Sequence, residues 1–463
     1  MANASEMIYR VVNPATGLVV EEFATVTDSE IKNALMRAEN GFAEWRNQPV
    51  HERAGIVGRI GQLLDERAEE LGQLATQEMG KSLAAAQDEV RFCSRIFDYY
   101  ASEGPDLASS QPIKTFSGGQ AIIQKLPIGA LLGVMPWNYP FYQVSRFAAP
   151  NLVLGNAIVL KHSESCPRSA TAIERLMRDA GVPEGVYINV FASHEQVAMM
   201  ISDPRIKGVS FTGSDRAGAI IAEHAGRNIN KSVLEFGGSD PYIILDTDDV
   251  KKSATSAWNT RMSHTGQACN SNKRIIVMEN IFHQFVDEMV ALAKTLIPGD
   301  PIAAMPNSFS PLSTRAAAEK LQGQVRDAVE KGAILHVGGK LLDGPSAYFQ
   351  PAILTGVTQN MRAWTEELFG PVAVVYCVAS DEEALSLAND TEFGLGGAVF
   401  SKDAERARRL AERLESGMAN VNVSAGEGAE IPFGGVKKSG YGRELGPLGM
   451  EEFVNRRILY VSQ

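Results

Sequence analysis

Cysteine is scarce in this chain, and nothing pairs it: Cys93, Cys166, Cys269 and Cys377 stand far apart among 463 residues. No C-x-x-C occurs, and the seven histidines form no H-x-x-x-H pair, so neither sequence pattern for zinc is present. A disulfide framework is excluded for the same reason. Positive charge is also short. Against 55 Asp and Glu there are 44 Lys and Arg, a net −11 that has the wrong sign for a nucleic-acid surface. No apolar run reaches bilayer length, and the first ten residues lack the apolar centre of a signal peptide. These absences lead us to expect a cytoplasmic protein that meets neither membrane nor nucleic acid.

What is present is ordinary globular composition, 44% hydrophobic and 21% charged, at a length that suits two or three domains. Residues 8–24 read as a hairpin around N-P-A-T-G, and Thr27 with Glu30 reads as a capping box opening a helix. A helical pattern with little Gly or Pro then runs from Glu52 to about Ser102. Residues 111–131 differ, with two β-like runs joined at Ser117-Gly118-Gly119 and broken at Leu126-Pro127. Their edges must be covered by their own domain or by a second subunit. Arg457–Val461 is a further β run of that kind.

From Ala157 strands and helices alternate regularly: Ala157–Lys161, Pro167–Ala180, Val186–Val190, Glu195–Ser202, Gly208–Thr212 and Ser214–Ala225. That order predicts a parallel, doubly wound sheet, whose ligands bind beyond the carboxyl ends of its strands. A second alternating series begins at Pro241 and includes helical patterns at Asn280–Leu296 and Asp403–Ser416. The boundary falls near Gly237-Gly238.

Several residues on this scaffold have chemical potential. Gly213 and Ser214 stand where a strand turns into a helix, a place for a phosphate or simply a structural turn. The spacing G-S-x-x-x-G is not the G-x-G-x-x-G fingerprint. Lys161 ends a strand with Glu164 three residues on, which suits a ribose or a solvated terminus. Cys269, among small and polar neighbours in G-Q-A-C-N-S, is the thiol best placed to react. Asn138, within P-W-N-Y-P, is an oxyanion donor or a turn asparagine.

Together these segments resemble the aldehyde dehydrogenase superfamily over essentially the whole chain. The resemblance rests on P-W-N-Y-P (136–140), F-T-G-S-x-x-x-G (211–218), L-E-F-G-G (234–238), G-Q-A-C (266–269) and E-E-L-F-G-P (366–371). The tail 432–446 also fits. The resemblance implies two doubly wound α/β domains plus a small β element for oligomerisation. Residues 1–110 and 132–236 would bind cofactor, 237–430 would be catalytic, and 111–131 with 447–463 would pair subunits into a homodimer or homotetramer. It implies that Cys269 forms a thioester, Asn138 holds the oxyanion and Glu235 activates water. Around the cofactor it implies Met135, Pro136, Trp137, Lys161, Glu164, Gly213, Ser214, Phe236, Glu367 and Phe369. The Glu164 carboxylate favours NAD by repelling a 2′-phosphate, while Lys161 and His162 leave NADP tolerable.

Within the family the chain looks most like succinate-semialdehyde dehydrogenases, with a broader small-aldehyde enzyme as the alternative. Arg146 matches their carboxylate-pairing arginine, or it bridges two helices. Ser263 replaces a second such arginine, and Arg261 stands close enough to substitute for it. His264 stands where asparagine is usual, and Phe147 where lysine is. No metal is expected. A cysteine hydrolase without nicotinamide would leave the 211–218 turn unexplained. A CoA-acylating enzyme would have no need of Glu235 for hydrolysis.

Overall fold

The computed structural model describes residues 9–116, 118–303 and 305–462. The first eight residues, including the expected start of the hairpin, and Ser117 of the 117–119 join lie outside the described residues. Tyr9–Val12 pairs antiparallel with Val19–Phe23, and Thr27 caps the helix Asp28–Trp45 through the reciprocal Thr27–Glu30 bonds. The helices Val50–Glu66, Ala68–Met79 and Leu83–Leu107 follow, packed on one another as an apolar layer.

That layer covers one face of a sheet whose parallel strands lie in the order Lys231–Glu235, Ile206–Thr212, Ala130–Met135, Ala157–His162, Tyr187–Asn189. Side chains alternate across it. Leu131, Ile158 and Leu160 enter the core shared with the helical layer, whereas Leu132, Val159 and Val209 enter a second core with Ile31 and Leu35. Burial on both faces explains why these strands read as continuous apolar runs. Ala130 and Leu131, counted in the sequence with the β element 111–131, belong to this main sheet. The chain therefore changes sheets at Pro127, where the sequence places the break.

Gly237 and Gly238 lead into a seven-stranded sheet ordered Ile334–Val337, Ala352–Thr355, Val372–Val378, Arg274–Met278, Pro241–Ile244, Ala398–Phe400, Asn420–Val421. Only Ile334–Val337 is antiparallel to its neighbour there. The expected helix 403–416 is shorter, Ala404–Ala411. A third sheet joins Gln111–Ile113, Gln120–Pro127 and Val454–Val461, which unites the two expected β runs. Finally Gly440–Tyr441 adds antiparallel to Lys231–Glu235, so the tail closes over the end of the first sheet. The carboxyl edge of that sheet thus faces the amino edge of the second across the 237–240 crossing.

One side chain ties together the loops at the amino edge of the second sheet. Arg261, near the end of the helix Val250–Met262, is fully buried. Its Nε donates to Val372 O at 2.8 Å, and Nη1 to Gly266 O at 3.2 Å and Ser271 Oγ at 2.9 Å. Nη2 donates to Leu368 O at 2.7 Å and Gly370 O at 2.6 Å. A guanidinium has five N–H donors, and all five are used. Arg261 is therefore not a substitute carboxylate clamp, as its sequence position suggests. It has no donor left. Burial, with Glu367 opposing, brings its pKa down to about 9. Gly266 lets the loops meet: at φ +70° a Cβ there would lie 2.3 Å from Gly370 O. We expect Arg261→Met to orphan buried carbonyls and lower stability by at least about 3 kcal/mol in urea unfolding. A loss below about 1 kcal/mol would show that these acceptors find other donors.

Candidate active site

Two cavities open on either side of Cys269. The larger, about 670 Å³, is lined by Phe92, Tyr139, Tyr142, His264, Phe433 and the 424–428 segment among others. The smaller, about 330 Å³, is lined by Pro136, Trp137, Asn138, Thr212, Gly213, Ser214, Phe236, Gly237, Glu367 and Phe369, with part of the helix Arg315–Glu330. Cys269 and Gln143 are common to both walls. A thiol at such a junction can meet a reactant from each side.

The smaller cavity gathers most of the residues expected to hold a dinucleotide. The helix Asp215–Arg227 starts at its wall, capped by Ser214, so the positive end of the helix dipole lies there. The Gly213 N–H is not free, however, because it donates to Glu235 O at 3.0 Å. The Thr212 hydroxyl is buried without a partner, an unused polar group on the wall. Trp137 and Phe369 meet edge-to-face at 5.7 Å. Glu367 accepts from Lys273 Nζ at 2.9 Å and from Gly238 N at 3.3 Å. Gly237 is needed for this approach, since a Cβ there would sit 1.9 Å from Glu367 Oε2. This cradle of a helix start, aromatic flanks and an acid fits a nicotinamide dinucleotide. Met135, Lys161 and Glu164 stand apart from the cavity wall. Met135 is buried at its strand end, and Lys161 pairs with Glu164 at the end of the next strand, with His194 3.8 Å from the acid.

Glu235 ends its strand, buried, and lines neither cavity. Its carboxylate oxygens have no side-chain hydrogen-bond partner, and only the Gly435 backbone N–H lies near enough to favour the ionised form. Burial first, and the neighbouring Glu444 second, push its carboxyl well above the usual range, while Arg146 and Arg443 oppose them. Burial likewise raises the Cys269 thiol to about 11, with Arg146 and Lys273 pulling it down and Glu235 and Glu367 adding to the rise.

Arg146 also departs from its expected role. It is fully buried, with Nε 2.9 Å from Glu444 Oε2, and it is held between Tyr142 (4.8 Å) and Phe433 (4.4 Å). Those two rings and Gln143 line the larger cavity, and Arg146 does not. The expected grip on a substrate carboxylate is corrected accordingly: the charge is already met by Glu444, behind the wall. Arg146 Nη2 donates to Gln143 Oε1, which leaves Gln143 Nε2 facing Asn138 Oδ1 at 3.5 Å. Asn138 Nδ2 then donates one hydrogen to Gln267 O at 3.1 Å and keeps the other. The cation therefore fixes which end of the Asn138 amide is the donor.

Two functional-looking residues escaped the sequence reading. Gln143 had a signal in its i, i+3 spacing to Arg146 on one helix face. Lys273, buried, donates to Ala268 O at 2.9 Å and Cys269 O at 2.7 Å, bracing the thiol loop. Its signal was a charged pair, Lys273-Arg274, opening an apolar strand. Among the described residues no cluster of potential metal ligands occurs, and no helix is long and apolar enough to cross a membrane.

Comparison with known proteins agrees with this geometry. The model of the aldehyde dehydrogenase family matches residues 1–459. A succinate-semialdehyde dehydrogenase [NADP(+)] of Deinococcus radiodurans is 48% identical over 454 residues, covering 98% of this chain and 95% of the relative. The succinate semialdehyde dehydrogenase [NAD(P)+] Sad of Escherichia coli is 40% identical over 449 residues, 97% of each chain. Among solved structures, succinic semialdehyde dehydrogenase from Streptococcus pyogenes in complex with NADP+ superposes with a TM-score of 0.95. It is 38% identical, covering 98% of this chain and 100% of that one. The chain belongs to the aldehyde dehydrogenase family and is an NAD(P)-dependent oxidoreductase.

Proposed function

We propose that this enzyme oxidises succinate semialdehyde to succinate, with Cys269 as nucleophile, Asn138 as oxyanion donor and Glu235 as general base. The observation that supports it best is the thiol shared by two cavities, one fit for a dinucleotide and the other bearing two arginines outside any ion pair with a described residue. Arg95 and Arg443 line the larger cavity, and neither forms an ion pair with a described residue. Glu427 on the same wall disfavours a second negative charge, which suits a monoanion. The names of the relatives point to the same substrate.

In this reading Cys269 gives its thiol proton to solvent water as Sγ attacks the aldehyde carbon, and the spare Asn138 N–H and the Cys269 N–H hold the oxyanion. The nicotinamide ring, when bound, supplies the two-electron acceptor that leaves a thioester on Sγ. Pro136, Trp137, Phe236 and Phe369 shape its cavity, and Glu367 is the acid available to its ribose. Glu235 then takes a proton from the water that attacks the thioester. It must turn towards the acyl group to do so, leaving the Gly435 backbone N–H that favours its ionised form. Burial and Glu444 raise its pKa, which makes it a stronger base once ionised.

At the adenosine end, Glu164 favours NAD, whereas Lys161 beside it offers a cation to a 2′-phosphate once Glu164 swings away. We take both dinucleotides as substrates. Val454–Val461 is an edge strand with Ile458, Tyr460 and Val461 exposed, which supports pairing of subunits through it.

Three outcomes are expected. Alkylation of Cys269 by iodoacetamide in cofactor-free enzyme, followed by mass spectrometry, should climb roughly tenfold per pH unit from 7 to 9, because a thiol raised to about 11 is protonated throughout that range. A plateau by pH 8 would contradict the burial effect. Glu235→Gln should give a first burst of NADH near one per site and then stall, and steady turnover at the wild-type rate would remove its role as base. In a panel with both cofactors, kcat/KM should be highest for succinate semialdehyde over butanal, and Glu164→Gln should raise the NADP/NAD ratio. Equal rates for the two aldehydes, or an unmoved ratio, would count against these assignments.

A further inference from the structure

Resting on that substrate reading, we infer that His264 sets specificity, donating a ring N–H to the distal carboxylate of the substrate in the larger cavity. His264 lines the cavity with Cys269, five residues ahead of it in sequence. Its Nδ1 is buried, and neither ring nitrogen makes a hydrogen bond to a described residue. A buried polar atom without a partner is unfavourable, and a ligand in the cavity can relieve that.

The backbone adds an independent reason. His264 and Thr265 both adopt left-handed conformations, φ 49° and 55°, which L-residues with bulky side chains rarely take. The turn is pinned on both sides. Gln267 donates to His264 O from its backbone N–H and its side chain, and Thr265 Oγ1 donates to Ser310 O. The ring packs tilted against Tyr139 with centroids 4.4 Å apart, and Lys81 Nζ lies 4.1 Å from the centre of the same tyrosine ring. The imidazole is thus held by packing and by a constrained turn, while its polar atoms remain unused.

The electrostatics agree. Burial first, and Lys81 second, hold the imidazole well below its ordinary pKa, so it stands neutral in the empty cavity. A neutral imidazole offers one N–H donor and leaves the other nitrogen as acceptor. It places no fixed cation beside Cys269, unlike an arginine, and it discriminates by hydrogen bonding rather than by charge alone. With Arg146 behind the wall and Arg261 fully bonded, His264 is among the donors on the wall left for a substrate carboxylate.

The test uses two variants chosen for the backbone. His264→Gly suits the positive φ without strain, and His264→Asn keeps a residue type that tolerates it. For both we expect wild-type thermal unfolding within a few degrees. kcat/KM for succinate semialdehyde should fall about ten- to a hundredfold, mainly through KM, while that for butanal changes less than about twofold. Binding of succinate to the cofactor-free protein, read by calorimetry, should weaken by a similar factor and binding of butyrate should not. If the wild type itself shows no preference for succinate semialdehyde over butanal, the substrate reading fails. If the wild type shows it and both variants retain it, or lose activity equally on both aldehydes, His264 is overturned and the substrate reading survives.

Discussion

Everything near Cys269 depends on one buried cation that has no acidic partner. Arg261 donates its five hydrogens to the thiol loop at Gly266 and Ser271, to the loop carrying Glu367 and Phe369, and to the start of the strand Val372–Val378. Carbonyl dipoles replace water around a charge that burial makes costly. The gain is positional. The loop with the thiol and the loop with Glu367 become one rigid body, and Lys273 adds a second tie through Cys269 O and Glu367. Preorganisation of this kind lets a reactive geometry be built before any ligand arrives.

Around that body the acids and cations are closely balanced. Glu235 and Glu444 are buried together, each raised by burial, and Arg146 lowers both. Removing the arginine would leave Glu444 without its ion pair and Glu235 with Arg443 alone, so the pair Arg146–Glu444 belongs to the architecture as much as to the chemistry. Through Gln143 the same arginine orients Asn138. One side chain thus touches the proposed base electrostatically and the proposed oxyanion donor by hydrogen bonds, without reaching the cavity that either serves.

Fold and family were legible because they rest on local signals. The alternation from Ala157 onward, the Thr27–Glu30 cap and the motifs around Asn138, Gly213, Glu235, Cys269 and Glu367 all lie within short windows. What failed to read were partners far away in sequence. A buried arginine and a substrate-binding arginine look the same in one dimension. Arg146 is distinguished only by Glu444, and Arg261 only by carbonyls at 368–372. Lys273 and Gln143 were passed over because their roles come from neighbours that the fold supplies. Lys161 and Glu164 were visible as a pair, but their separation from the cavity wall follows from strand order, which sequence does not print.

The tail that returns to the first sheet has a consequence for synthesis. Gly440–Tyr441 pairs with the strand that ends in Glu235. Ser439 Oγ bonds Gly237 O across 202 residues, and Tyr100 reaches Gly446 across 346. On a ribosome, the parallel core of the first sheet can collapse long before these contacts exist, because its strands all precede Phe236. The surroundings of Glu235, by contrast, are complete only when nearly the whole chain has emerged. A chain terminated before residue 440 therefore can hold the parallel core of the first sheet with Glu235 unwalled, and the finished centre appears as one late event.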